Sequence, residues 1–336
     1  MVNTPSHLPT SAIGLINYDD PHQRTFKSLR LGITKACNLS CVYCVPPGFT
    51  LVEDEADLSA KELIYLTGLI KEVAGITKLR LTGGEPLISP KLEQILIGVK
   101  ELNFADVGLT TNGVYLKKRL HLLNHIPQIR LNVSLDTLAK DKFLKITGYD
   151  KLEQILAGID EALKLKLPIK INMLLLKDMN ADDILAMLDF CFKKNLVCRF
   201  IELMKMGHIA SSNYEDKFLS SKDLLSLVSN KYTIKELAKP KHSTAIYYQA
   251  VNFGKFGIIA NETVPFCQDC DRLRLTSCGE LYGCISQARP MSLKPLLKLN
   301  REKAKAELVV ILQKSMKQKQ LYKFKGSSTI MQTIGG

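Results

Sequence analysis

The chain has 336 residues, 46% of them hydrophobic, nine cysteines and a formal net charge of +13. That length and apolar content can bury a large core with room for a second, smaller region, and no run approaches the ~18 apolar residues of a membrane span. The charge points to an anionic partner, whether nucleic acid, a phosphorylated substrate or a membrane surface, although Lys-rich runs at 294–305 and 314–325 carry much of it and suit a solvated helix face equally well.

In chain order, the first twenty residues lack the basic start and apolar stretch of a signal peptide. A cytoplasmic protein is therefore expected, with residues 1–24 as an N-terminal extension. The apolar run Leu29 to Ile33 reads as a strand, and behind it stand Cys37, Cys41 and Cys44, spaced C-x-x-x-C-x-x-C. In a reducing compartment such cysteines hold metal rather than disulfides. An Fe–S cube takes four ligands and favours thiolate, so three local thiolates without a fourth would leave one iron open. Zinc sites prefer C-x-x-C pairs in complete sets of four and fit this triplet poorly. Unrelated core cysteines are the remaining alternative.

Beyond a Pro46-Pro47-Gly48 loop, Ser59 and Glu62 form a capping-box pattern, followed by Leu63, Leu66, Ile70 and Val73 at helical spacing. KLRLT at 78–82 alternates and ends in the turn Gly83-Gly84-Glu85-Pro86. Strand-like stretches recur as VGLTT ending at Thr111, IRLNVSL at 129–135, IKINMLL at 169–175 and VCRFI at 197–201, with helical stretches near 91–101, 115–124, 153–166 and 182–194. Six strands alternating with helices predict right-handed parallel β/α units. A closed barrel needs eight. The expected fold is α/β, an incomplete (βα)6 TIM-type barrel over residues 25–206, with an open doubly wound sheet as the alternative.

Strands of parallel sheets are normally apolar on both faces. Here Lys78, Arg80 and Thr82 share one side, as do Arg130, Asn132 and Ser134, and again Lys170 and Asn172. If the apolar sides meet the helices, the polar sides line a cavity suited to an anion. A two-layer sheet with one solvated face is the other option.

The pattern changes near 207. Residues 207–336 read as a smaller α+β region with a helix from about Ser221 to Val228, alternating segments such as 245–251, and a second trio, Cys267, Cys270 and Cys284. It too lacks an evident fourth thiolate, although Cys278 could complete a zinc set. Arg272 and Arg274 alternate with Leu273 and Leu275, so both guanidiniums leave one side of a strand beside the metal, in a form suited to phosphate. Packing is the default for Cys191, Cys198 and Cys278. His121 and His125 read as a surface pair.

CNLSCVYC followed by TGGEP resembles the radical S-adenosylmethionine superfamily. C-x-x-C with a third cysteine after thirteen residues, RLR between them and a Gly-Gly end are similar to the GTP 3′,8-cyclase family, which opens molybdenum cofactor biosynthesis. The likeness runs from about Leu29 to Gly336 through LRLTGGEP, TTNG, VSLDTL, KFLKITG, RFIELMKMG and FCQDCDRLRLT.

The resemblance implies a lyase with two 4Fe–4S clusters, one on Cys37, Cys41 and Cys44, the other on Cys267, Cys270 and Cys284. The first would chelate S-adenosylmethionine, with Tyr43, Gly84, Ser134 and Met204 at cofactor-binding positions, and one-electron reduction would release a 5′-deoxyadenosyl radical. The second would take the guanine of GTP. Arg30, Lys78, Arg80, Thr111, Lys170, Arg199, Arg272 and Arg274 match substrate positions, Arg30, Arg272 and Arg274 in catalytic roles, and Gly335-Gly336 would reach into the site. Hydrogen abstraction at ribose C3′ and attack on guanine C8 would give (8S)-3′,8-cyclo-7,8-dihydroguanosine 5′-triphosphate.

Implied partners are a flavodoxin- or ferredoxin-type electron donor and the next enzyme, cyclic pyranopterin monophosphate synthase, without membrane or nucleic acid. Oligomeric state stays open, a homodimer being one option. Departures from the family pattern at Val45, at Lys205 and before MQTIGG put the docking of the tail in question. Two rivals stand beside this reading. A radical enzyme acting on a peptide would usually carry more C-terminal cysteines; a basic zinc module for nucleic acid would show complete ligand sets and aromatic platforms, whereas this chain has no Trp.

Overall fold

The computed structural model describes residues 16–49, 57–211, 214–240, 242–287 and 289–335. Strands β1 (Ser28–Gly32), β2 (Lys78–Thr82), β3 (Asp106–Thr111), β4 (Arg130–Ser134), β5 (Ile169–Leu174) and β6 (Val197–Ile201) lie parallel and side by side in chain order. Between them run α1 (Ala60–Ala74), α2 (Leu92–Leu102), α3 (Leu116–Leu123), α4 (Lys140–Thr147) with α5 (Leu152–Lys164), and α6 (Ile184–Lys193). The capping box at the start of α1 is formed, Glu62 N–H donating to Ser59 Oγ and Ser59 N–H to Glu62 Oε2. α5 turns Leu152, Ile155, Ile159 and Ala162 into the core, as its periodicity predicts. α4 escapes that reading because eight residues give barely two turns of pattern.

The remaining elements are α7 (Tyr214–Lys217), α8 (Ser221–Ser229), β7 (Ile234–Glu236), β8 (Ile246–Ala250), β9 (Gly254–Ile259), β10 (Arg272–Leu275), β11 (Glu280–Tyr282), β12 (Met291–Ser292) and α9 (Arg301–Lys317). Their strands extend the same sheet rather than building another. β9 pairs parallel with β6, β10 pairs parallel with β1, and the antiparallel ribbons β8–β7 and β11–β12 cover the two flanks. β9 and β10 do not pair with each other, so the barrel stays incomplete. The sequence hides β9, GKFGII, because two glycines weaken its strand pattern.

On β5, Ile169, Ile171 and Met173 are buried under the helices while Lys170 and Asn172 face inward on a cavity. The cavity alternative is thus the one the fold adopts. α9 carries its lysines on a solvated side, where Arg301 and Lys305 both bind Glu72 of α1 at 2.5 Å, over a buried stripe of Ala304, Leu308 and Leu312. Among the described residues no helix is long and apolar enough to cross a membrane.

Candidate active site

The inward strand faces and the loops at their C-terminal ends enclose a cavity of about 760 Å³. Both cysteine trios border it, as do Arg30, Tyr43, Lys78, Arg80, Gly84, Thr111, Ser134, Lys170, Arg199, Met204, Arg272 and Arg274. Of the expected site residues, Gly335 docks beside it and Gly336 lies outside the described residues.

The loop carrying the first trio leaves β1 and is held from three sides. Val42 N–H and Ser40 N–H donate to the Ile146 and Thr147 carbonyls at the end of α4, 2.9 Å each, satisfying acceptors a helix terminus would otherwise leave open. Tyr43 donates to Asp136 Oδ2 at 2.7 Å, and Asp136 Oδ1 accepts from Leu174 N–H at 2.8 Å. Asn112 Nδ2 reaches Asn38 Oδ1 (2.9 Å) and Cys37 Sγ (3.8 Å). Asn112 is in turn fixed by the GGEP turn, because Glu85 accepts from Thr111 Oγ1 (2.7 Å), Leu87 N–H (2.8 Å) and Asn112 N–H (2.6 Å). Thr111, expected on the substrate side, spends its hydroxyl hydrogen here.

Burial pushes all three thiols up. On Cys41 the charges of Asp136, Cys44 and Cys37 add to burial, and Cys44 is raised to about 12 by burial and Cys37. Thiols held up in this way lose their protons only against a strong cationic centre, and among the described residues no three His, Cys, Asp or Glu side chains converge on a single metal ion.

Burial also raises Glu85 to about 7, outweighing its three donors. A folded-state value above the ordinary 4.5 means that the native state holds this proton more tightly. The associated stability is full below the unfolded value and is lost as pH rises through about 7. Asp136, raised to about 6 by burial, acts in the same direction. Between pH 5 and pH 8 the Glu85 contribution amounts to ~2 kcal/mol. Urea unfolding of the metal-free chain should show a pH dependence smaller by about that amount in Glu85→Gln. An unaltered pH dependence would contradict the assignment.

The second trio is bracketed by two buried cations. Arg24 donates to the carbonyls of Cys267 (2.9 Å) and Gln320 (2.8 Å) and pairs with Asp20 at 2.6 Å. Lys319 Nζ reaches Cys270 Sγ at 3.3 Å. Burial alone would raise Cys270, but Lys319 and Arg272 outweigh it and hold this thiol at about 6, while burial and the other two sulfurs raise Cys267 to about 11. Cys278 does not complete the set: it is buried with its Sγ on Asp57 Oδ1 at 3.3 Å. Cys191 and Cys198 are core packing, and His125 sits near Glu93 at 3.5 Å on an exposed surface.

Register concentrates positive charge between the trios. Arg30 on β1 lies level with Arg80 on β2 and Arg274 on β10, and Ser28 lies level with Lys78 and Arg272. Burial, then Arg274, Arg272, Arg199 and Arg80, push Arg30 well below its usual value. A guanidinium keeps its proton in a protein, so a polyanion is the natural relief for this crowding. Arg80 is partly committed, sharing Asp106 with Arg130 and lying 2.5 Å from its Oδ2. Lys170 donates to Tyr247 OH at 3.0 Å, and Arg199 is held by Asn132 (2.7 Å) and Asn172 (2.9 Å).

The tail closes the arrangement. Gly335 carbonyl accepts from Arg274 Nη1 at 2.7 Å, Gln332 Nε2 donates to the Lys35 carbonyl at 3.0 Å, and the Gln332 backbone N–H meets the Cys44 sulfur. Lys205 does not disturb this, because its contribution to the tail is a backbone carbonyl accepting from Ser327 N–H at 3.0 Å, a group any residue there would offer.

Sequence reasoning missed Glu85, Asn112 and Asp136 as site residues although each stands inside a quoted motif. It also missed Tyr247, Arg24 and Lys319, for which local sequence carries no signal.

A thiol trio at the end of the first strand of an incomplete parallel barrel, with a glycine turn at the end of the second, defines a radical S-adenosylmethionine enzyme. Residues 31–191 match the Radical SAM superfamily and residues 196–324 match Molybdenum Cofactor Synthesis C. The fold is similar to that of SuiB of Streptococcus suis bound to S-adenosylmethionine, with TM-score 0.61 and 16% identity, covering 81% of this chain and 62% of that one. The GTP 3′,8-cyclase of Helicobacter pylori strain ATCC 700392 / 26695 is 36% identical over 79% of this chain and 82% of its own length. That of Aliarcobacter butzleri is 37% identical over 89% and 92%. The chain belongs to the GTP 3′,8-cyclase family and, with it, to the enzymes that use a 4Fe–4S cluster and S-adenosylmethionine.

Proposed function

We propose that the chain binds two 4Fe–4S clusters, on Cys37, Cys41 and Cys44 and on Cys267, Cys270 and Cys284, and closes GTP to 3′,8-cyclo-GTP between them. The observation that carries this is one cavity bordered by both trios and by a crowd of arginines, Arg274 buried and Arg30, Arg80, Arg199 and Arg272 half-buried. Held by Cys37, Cys41 and Cys44, the first cluster would supply reducing chemistry toward S-adenosylmethionine; held by Cys267, Cys270 and Cys284, the second would supply a Lewis-acidic iron on the substrate side.

The protein's own part is to bind, orient and exclude water. Arg30, Arg272 and Arg274 face the substrate from adjacent strands, and Lys78, Arg80, Lys170 and Arg199 extend the same cationic lining toward the triphosphate. Thr111 borders the cavity, but its hydroxyl donates to Glu85 and accepts from Gly113 N–H at 2.9 Å. Tyr43, Gly84, Ser134 and Met204 shape the S-adenosylmethionine side, where the GGEP backbone offers polar groups to the methionine moiety. Arg274 holds Gly335, so the described tail ends against one of the catalytic arginines.

In this reading residues 25–206 form the radical SAM partial barrel, which also carries much of the cationic lining, and 207–336 the auxiliary-cluster and GTP-binding region, with residues 1–24 as an extension. A flavodoxin- or ferredoxin-type donor, a cytoplasmic setting and delivery of product to cyclic pyranopterin monophosphate synthase complete it, with a homodimer as a possible assembly.

Anaerobically reconstituted protein is expected to hold about eight irons and to form 5′-deoxyadenosine together with cyclised GTP. About four irons would refute the two-cluster reading, and S-adenosylmethionine cleavage without GTP conversion would refute GTP as the substrate.

A further inference from the structure

We propose that Lys319 is a positioning residue of the second trio, joining its ligand loops and setting the reduction potential of the cluster they carry; this rests on the two-cluster reading above. Lys319 stands just past the end of α9 and is 5% exposed, a burial that lysine rarely accepts without partners. Its Nζ donates to the Gly283 carbonyl at 2.8 Å, the Arg272 carbonyl at 2.9 Å and Cys270 Sγ at 3.3 Å. An ammonium has three N–H groups, so all are used. Nζ also lies 5.3 Å from the centre of the Phe26 ring, whose face favours a cation.

These acceptors belong to the C-x-x-C segment, to β10 and to the residue before Cys284. One side chain therefore ties together the two parts of the ligand set, the C-x-x-C segment and the residue before Cys284, across the intervening strands β10 and β11. Its own place is secured next door, where Arg24 binds the Gln320 carbonyl and, with the same nitrogen, the Cys267 carbonyl. The two carbonyl contacts would serve a structural lysine. The sulfur contact adds something else, because a hydrogen bond and a positive charge on a ligand sulfur favour the reduced, more negative form of an Fe–S cluster.

The test uses the full chain with Cys37, Cys41 and Cys44 all replaced by alanine, reconstituted anaerobically so that the iron belongs to the second trio. About four irons per chain are expected; none would remove the two-cluster reading itself. In that background Lys319→Gln, which keeps a donor without the charge, should retain its iron and show a more negative midpoint in an EPR-monitored redox titration. Lys319→Met should shift the midpoint further and lose iron to a chelator ~10-fold faster or more. Midpoints and chelation rates equal to those of the unsubstituted Lys319 protein would overturn the proposal. So would an unchanged midpoint in Lys319→Gln if the methionine variant failed to fold.

Discussion

Replacing Arg274 with alanine is expected to lower kcat/KM for GTP by roughly 30- to 5000-fold, the range that follows from the 2–5 kcal/mol lost when one partner of a buried charged contact is truncated. Arg274 is buried, level with Arg30 across the β1–β10 pair, and its Nη1 binds the Gly335 carbonyl at 2.7 Å. Alanine thus removes a charge facing the substrate and the anchor of the tail in one change. Burial and then Arg272 hold the Arg274 guanidinium down to about 10, so the ligand-free fold carries this cation at a cost. Stability of the metal-free variant should therefore not fall in step with activity, as it would if Arg274 served the core. Arg274→Lys restores charge but not the planar fork and should recover only part of the loss. Cleavage of S-adenosylmethionine without GTP, followed as 5′-deoxyadenosine, should persist in both variants. A kcat/KM within threefold of the unsubstituted enzyme would sink the assignment.

The residues that were legible beforehand share one property: their signal is local. C-x-x-x-C-x-x-C needs no knowledge of the fold, and alternation in KLRLT and IKINML separates a helix-facing side from a cavity-facing side within one strand. The strands of the (βα)6 part fell within a residue of their observed ends because apolar alternation stops where the C-terminal loops begin.

What stayed hidden depends on pairing between distant segments. That β10 sits beside β1, placing Arg272 and Arg274 level with Ser28 and Arg30, is a register fact that neither segment encodes alone. Lys319 lies in a run of lysines whose other members are exposed, and only its burial and its contacts with Cys270 and two nearby carbonyls distinguish it. Asp106, just before VGLTT, likewise carries no local signal. In the fold it binds Arg80 and Arg130, while Gly108 between them leaves room for the Arg80 stem, a side chain there coming within 3.0 Å of its Cδ.

A change at Gly84 should be as damaging as loss of a thiolate, although Gly84 has no side chain to offer metal or substrate. Gly83 and Gly84 run against the segment that leads into the first trio, with Gly84 N–H on the Thr34 carbonyl and Glu85 N–H on the Ala36 carbonyl, both 2.8 Å. A Cβ at Gly84 would stand 2.2 Å from the Ala36 oxygen and 2.5 Å from the Lys35 oxygen, both backbone atoms that no rotamer change can move. The turn or the cysteine loop must therefore shift, and with it the Glu85 carboxylate that fixes Asn112 beside Cys37. Gly84→Ala is expected to lose about four irons and all detectable 5′-deoxyadenosine, while the second trio keeps its iron because Arg24 and Lys319 hold it independently of the turn. Gly32→Ala is the control, since its Cβ would meet nothing closer than 3.6 Å, and it should keep both clusters. If Gly84→Ala retained full iron and S-adenosylmethionine cleavage, the close approach of the two backbones could not be what organises the first site.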